Sequence, residues 1–313
     1  MSKHDLVIVG AGPAGLCAAL YAGRGMLDAV VLERGIPGGE LLNTEKIEDY
    51  PGFESILGPD LAAKMAAHAE KFGAKILMEN VEGIYRDGEG FRVTTSSEAE
   101  FFAPTVILTA GGTPTKLGVP GEGEFAGRGV SYCAVCDGAF FKGETIAVVG
   151  GGDAAVEEAD YLTRYATKVY IIHRRGEFRA SKLIQARALS NPKIEVIWNT
   201  KVVELRGEPK GLRELALERT DSAERSTLAV TGCFILIGFN PNSGLIKDHF
   251  AHDASGYLIT DDRMMTSIPG LFAAGDLRVQ LTRQVTTAVG DATTAAIAVE
   301  KYLTERKARI GST

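Results

Sequence analysis

Cysteine is scarce in this chain, charge of one sign is nowhere concentrated, and no apolar run is both long and unbroken. Four cysteines in 313 residues, only two of them close together, do not make a secreted disulfide framework, and a reducing cytoplasm fits them better. No histidine lies near the single Cys-x-x-Cys, and Cys17 and Cys233 stand alone, so a four-ligand zinc site is disfavoured. Those two isolated cysteines read as small buried hydrophobes. The net charge of −6 is spread without a basic stripe, which argues against nucleic acid or an anionic membrane as partner and for small molecules or other proteins. Met1 to Asp5 lead straight toward a strand, with no signal-peptide layout. The uncharged run from Leu6 to Gly23 approaches the length of a membrane span, but its glycines and Pro13 divide it. It reads as a buried strand from Leu6 to Val9, a turn, and a helix from Leu16 to Ala22.

The length allows two domains, each with its own core, and glycine marks a nucleotide site in both halves of the chain. Gly10-Ala11-Gly12-Pro13-Ala14-Gly15 follows the G-x-G-x-x-G pattern between a strand and a helix, where absent side chains let backbone amides approach a pyrophosphate. The next strand, Ala29 to Leu32, ends in Glu33, where an acid accepts hydrogen bonds from a ribose; Arg34 stands beside it. The unit recurs: a strand from Thr145 to Val149, a loop with Gly150, Gly152, Asp153 and Ala154, a helix from Val156 to Thr163, and a strand from Lys168 to Ile172. This second strand ends in His173-Arg174-Arg175, with Arg179 just beyond, in the place where guanidinium groups meet a 2′-phosphate. The predicted ligand of the second loop is NADPH.

Ahead of that second loop stands Cys133-Ala134-Val135-Cys136-Asp137-Gly138. A thiol pair at this spacing can close a short disulfide, and the adjacent carboxylate can give or take the proton that each exchange step moves. Two unlike nucleotide loops and a dithiol predict a flavin relay, in which the first loop holds FAD. Gly275-Asp276 after a short apolar strand, and Gly111 after the strand beginning at Thr105, supply further strand-end turns to that FAD half.

Taken together, the glycine loops, the Cys-x-x-Cys-Asp-Gly, the arginines after the second loop, and Ala274-Gly275-Asp276 followed by Arg283-Gln284 resemble the bacterial-type, low-molecular-weight thioredoxin reductase family over nearly the whole chain. The resemblance implies an α/β fold of two Rossmann-like, three-layer domains, the NADPH domain inserted in a discontinuous FAD domain. The expected segments are 1–113 and 243–313 for FAD and 114–242 for NADPH and the dithiol. Thr113-Pro114-Thr115 and Gly238-Phe239-Asn240-Pro241-Asn242 punctuate the chain at those crossings independently. It further implies that Cys136 lies nearest the flavin, that Cys133 attacks the protein substrate, that Asp137 manages the proton, and that the enzyme is a cytoplasmic homodimer serving thioredoxin or a thioredoxin-like protein. Gly39, Glu40 and Leu41 resemble a loop running along the FAD, Arg283, Gln284 and Val285 a turn meeting the flavin ring, and Phe140 with Phe141 an apolar docking patch.

Two positions depart from the common family pattern. Glu40 stands where Gln is frequent and Asp49 where Asn is frequent, so the flavin surroundings carry more negative charge and the flavin potential is expected to fall. The competing readings are a flavoprotein that takes electrons from ferredoxin or passes them to oxygen, and a non-enzymatic nucleotide sensor. The arginines after the second loop count against the first, and a yellow colour would count against the second.

Overall fold

A computed structural model describes residues 2–44 and 46–310. The chain divides into two compact units, Met1–Thr113 with Asn240–Thr313, and the inserted Pro114–Phe239. Residues 240–242, which the punctuation assigns to the insert, fall with the outer unit. The cause is visible at Asn242, whose N–H donates to Gly111 O at 2.9 Å and whose Nδ2 donates to Ala110 O at 2.8 Å.

The outer unit is built on a five-stranded sheet in the order Leu271–Ala273, Thr105–Leu108, Leu6–Val9, Ala29–Glu33, Lys75–Met78. All its pairings are parallel. The pleat sends alternate side chains to opposite faces, and both faces are covered, which is why Leu6–Val9 contains no polar residue. Leu6 and Ile8 pack with the helices Pro13–Arg24 and Val285–Ile310. Val7 and Val9 pack against antiparallel strands Val81–Asp87, Gly90–Thr95 and Glu100–Ala103. Each such fully buried aliphatic side chain contributes about 1.5–3 kcal/mol.

The inserted unit repeats this plan. Its sheet runs Val130–Ser131, Gly232–Ile235, Thr145–Val149, Lys168–Ile172, Ile194–Ile197, again all parallel. Ile146, Val148, Val169 and Ile171 pack with the helix Asp153–Leu162. Ala147, Val149 and Ile172 pack against the antiparallel strands Thr200–Glu208 and Gly211–Arg219. Both units are three-layered, yet only one outer layer is helical; the other is an antiparallel sheet. Both glycine-loop helices also start earlier than their apolar runs predict, at Pro13 and Asp153. Pro13 suits a first helical turn because its missing N–H would have no partner there.

Candidate active site

In the outer unit the strand Leu6–Val9 ends at Gly10, whose φ is +101° and where a Cβ would lie 2.8 Å from the Thr109 carbonyl oxygen. Only glycine fits. The helix Pro13–Arg24 then begins at Gly12 with no side-chain cap and no acid in its first turn, so its leading amides remain available to an anion. Gly39 approaches so closely that a Cβ on it would sit 3.0 Å from Gly12 Cα, leaving backbone facing backbone. Leu41, next along this loop, is buried. Glu33 has a local task beside its expected one: Oε2 accepts from Ala11 N–H at 2.7 Å and Oε1 from Gly35 N–H at 3.1 Å, bracing the loop from below. Arg34, Glu40 and Asp49 are exposed.

The same unit brings the Gly275-Asp276 turn to this loop, for a Cβ on Gly275 would touch Ala14 Cβ at 3.2 Å. Gly275 N–H donates to Asp291 Oδ2 at 3.2 Å, and the same carboxylate oxygen pairs with Arg278 Nε at 3.1 Å with both side chains largely buried. Sequence reasoning missed Asp291 and Arg278, since nothing in their spacing links a turn to a helix that starts later. Asp276 is a displaced titrating group. Burial pushes its carboxyl up to about 6; the Arg283 cation opposes this, while Glu40 and Asp291 add to it. Arg283 lies over the Tyr257 ring at 4.3 Å, and Gln284 N–H donates to Thr287 Oγ1 at 3.1 Å where the helix Val285–Ile310 begins. Gly111 takes a φ of +58°.

In the inserted unit the helix Asp153–Leu162 likewise starts at an uncapped Gly152, where an added Cβ would meet open space. Asp153 Oδ1 accepts Ser181 N–H at 2.7 Å. Gly151 O accepts the N–H groups of Arg179 (2.8 Å) and Ala180 (3.2 Å), so the arginine segment is laced to the glycine loop, with Ala154 exposed on the helix's first turn. Arg174, Arg175 and Arg179 are exposed and enter no ion pair among the described residues. His173 differs from the exposed arginines that follow it in the motif: its ring is buried, tilts on Phe178 at 5.6 Å, and lies so close under Gly151 that a Cβ there would overlap it. Burial lowers its pKa; the Glu177 and Gly150 carbonyls counter this, and Arg175 and Arg179 reinforce it. A neutral ring packed beneath the loop shapes the backbone that the arginines flank.

Also in this unit, Cys133 and Cys136 form a disulfide with Cα atoms 5.4 Å apart, across the helical turn Ala134–Asp137. Ser131 Oγ accepts Cys133 N–H at 3.1 Å and donates to Cys133 O at 3.2 Å; Asp137 N–H donates to Cys133 O at 3.2 Å. The buried Ala134 N–H donates to Glu158 Oε2 at 3.2 Å. The two aromatics after the motif separate: Phe140 is exposed, while the half-buried Phe141 packs edge-on to the core residue Phe234 at 5.2 Å. Cys17 and Cys233 are buried, and desolvation pushes the Cys233 thiol up to about 12, with Glu122 adding to it. A thiol that stays protonated is a poor nucleophile, so the redox chemistry belongs to Cys133 and Cys136.

The sequence profile of the pyridine nucleotide-disulphide oxidoreductase family matches residues 4–292. A thioredoxin reductase of Bacillus subtilis (strain 168) is 48% identical over 302 residues, covering 96% of this chain and 95% of that protein. A thioredoxin reductase of Listeria innocua is 46% identical over 304 residues, covering 97% and 95%. The crystal structure of thioredoxin reductase from Streptococcus pyogenes MGAS5005 superimposes with a TM-score of 0.94 at 46% identity, covering 97% of this chain and 99% of that one. With a disulfide set beside one of two duplicated nucleotide folds, this chain belongs to the pyridine nucleotide-disulphide oxidoreductase family, in its bacterial-type thioredoxin reductase branch.

Proposed function

We propose that the chain takes electrons from NADPH and, with FAD bound, delivers them through Cys133 and Cys136 to the disulfide of thioredoxin or a thioredoxin-like protein. The observation that carries this reading is the Cys133–Cys136 disulfide lying in the same unit as a glycine loop flanked by exposed arginines that enter no ion pair among the described residues. The residues fit both groups. Gly10, Gly12, Gly15 and Gly39 form a cradle that side chains would fill, at an uncapped helix start, which suits the pyrophosphate of FAD. Gly150, Gly152 and the arginines after Ile172 suit a dinucleotide bearing a 2′-phosphate.

When bound, FAD supplies a carrier that accepts a hydride's two electrons and passes them to a disulfide. The chain's own part begins at Cys133–Cys136, which takes up two electrons and two protons to become a dithiol. Cys133 then attacks one sulfur of the partner's disulfide and expels the other as a thiolate. Cys136 attacks Cys133 of the mixed disulfide, the partner leaves as a dithiol, and the internal disulfide is restored. Asp137, adjacent to Cys136 in the chain, is proposed to move the protons. Arg174, Arg175 and Arg179 bind the 2′-phosphate, while Glu33, Asp276 and the Arg283-Gln284-Val285 turn orient the flavin. The working enzyme is proposed to be a cytoplasmic homodimer.

Anaerobic titration of the purified yellow protein tests the donor: NADPH bleaches the flavin absorbance at stoichiometric addition, and NADH requires a large excess. Cys133→Ser and Cys136→Ser should each still bind FAD and be bleached by NADPH but reduce no thioredoxin. Normal turnover by either variant overturns the dithiol relay.

A further inference from the structure

Glu158 is a largely buried carboxyl that the relay above does not use. It lies on the helix Asp153–Leu162, which starts at the second glycine loop, and reaches across to the segment between the two redox cysteines. Ala134 is fully buried, so its N–H has no access to water and needs an acceptor. The nearby Ser131 Oγ already serves the Cys133 N–H, and Glu158 Oε2 is the atom that meets the Ala134 N–H, at 3.2 Å. A neutral side chain could accept that hydrogen bond. A carboxyl is chemically distinct because it also places a negative charge next to a pair that can ionise to a thiolate only when reduced. Its carboxyl lies above the ordinary carboxylate range, pushed up chiefly by burial and further by Glu157, while the Ala134 N–H works in the opposite direction and favours the ionised form.

We propose that Glu158 is a positioning residue of the dithiol: its carboxylate holds the Ala134 N–H, fixing the turn that carries Cys133 and Cys136, and its charge biases the pair toward the disulfide. The bias follows from electrostatics. A thiolate beside a fixed carboxylate is destabilised, whereas a disulfide carries no charge to repel. The pair is thereby made a stronger reductant of an incoming disulfide than its spacing alone would make it. This rests on the redox role proposed for Cys133 and Cys136.

The test is a thiol–disulfide equilibrium. Full-length flavoprotein is equilibrated anaerobically with reduced and oxidised glutathione at about pH 8, where an ordinary carboxyl is ionised. Two glutathione thiols give up two electrons and two protons to the protein disulfide, yielding the dithiol and one glutathione disulfide. Acid quenching, alkylation under denaturing conditions and mass measurement then count the protein thiols. Glu158→Gln, which keeps an oxygen acceptor and loses the charge, is expected to move the equilibrium constant about tenfold toward the dithiol, equivalent to about 30 mV. Glu157→Gln, a loss of the same charge one residue away on the exposed side, is the control and should shift it far less. An Glu158→Gln equilibrium within twofold of wild type, or no further displaced than that of Glu157→Gln, overturns the proposal even if thermal stability falls. Because turnover is not the readout, failure of the relay itself would show separately, as a wild-type pair that never exchanges with glutathione.

Discussion

At the scale of residues, the proposed preference for NADPH rests on the arginines that follow the second glycine loop. Arg174 and Arg175 are exposed and outside the ion pairs of the described residues, so a 2′-phosphate would find them uncommitted. Replacing both by Ala should weaken NADPH by about 2 to 4 kcal/mol, the loss of one or two charge-assisted contacts, with little change for NADH. Binding titrations with both dinucleotides measure this, and an unchanged preference removes the arginines from phosphate recognition. Asp276 makes a second residue-scale prediction. Its carboxyl is raised from 3.8 to about 6 in the fold, chiefly by burial. The folded chain therefore binds a proton that the unfolded chain has released between roughly pH 4 and 6, and stability contributed there is lost as pH rises through that window. In flavin-free protein Asp276→Asn should remove this slope and be more stable near neutrality by about 1 to 3 kcal/mol. Urea unfolding of both forms across that window gives the answer; parallel pH profiles would contradict it.

At the scale of elements, each nucleotide site is a strand end joined to a helix start. Both are tightly packed: in the first a Cβ on Gly10 or Gly15 would run into backbone and Gly12 faces Gly39, and in the second a Cβ on Gly150 or Gly151 would overlap Ala155 or the His173 ring. Gly12→Val should leave the sheet and helix intact, since Gly12 precedes the helix and a Cβ there meets only Gly39 Cα at 3.8 Å. It should nevertheless block the pyrophosphate, giving a folded but colourless protein by circular dichroism and visible absorbance. Stoichiometric flavin in that variant would move the FAD site elsewhere. These elements were largely legible in the sequence. The strands Leu6–Val9, Thr145–Val149 and Lys168–Ile172 appear at their predicted limits, because four or five consecutive apolar residues bounded by glycine or charge have few alternatives. Helix starts were less legible, since Pro13 and Asp153 belong at once to a loop motif and to a first helical turn.

Across the whole molecule, two units with separate cores are joined by two crossings of the chain. If the outer unit is self-sufficient, joining Met1–Thr113 to Asn240–Thr313 through a short Gly/Ser linker should yield a yellow protein that NADPH does not bleach. Absorbance and circular dichroism read the result. Failure to fold would mean that the outer unit depends on the insert, and bleaching by NADPH would place the donor site in the outer unit. Thr109 illustrates why the outer unit is expected to stand alone. Its hydroxyl donates to Val9 O and Gly10 O, so the strand end and glycine turn are secured from within that unit.

The α/β class, the duplicated glycine loops, the dithiol and its acidic neighbour, and the family resemblance are all legible in the order of residues, because each resides in a short contiguous pattern whose chemistry is local. The remaining features arise from packing between distant segments. The antiparallel third layer covers the sheet because the alternate faces of strands such as Leu6–Val9 both need burial, and no single segment specifies what covers the second face. The His173 ring is buried while its arginine neighbours are exposed because Phe178, Trp198 and Gly151 close around it. Phe140 and Phe141 are identical neighbours, yet one is exposed and the other packs edge-on against Phe234. Asp291 at Gly275 and Glu158 at Ala134 bridge residues 16 and 24 positions apart, contacts that depend on how helices lie on the sheet and that no local pattern of residues encodes.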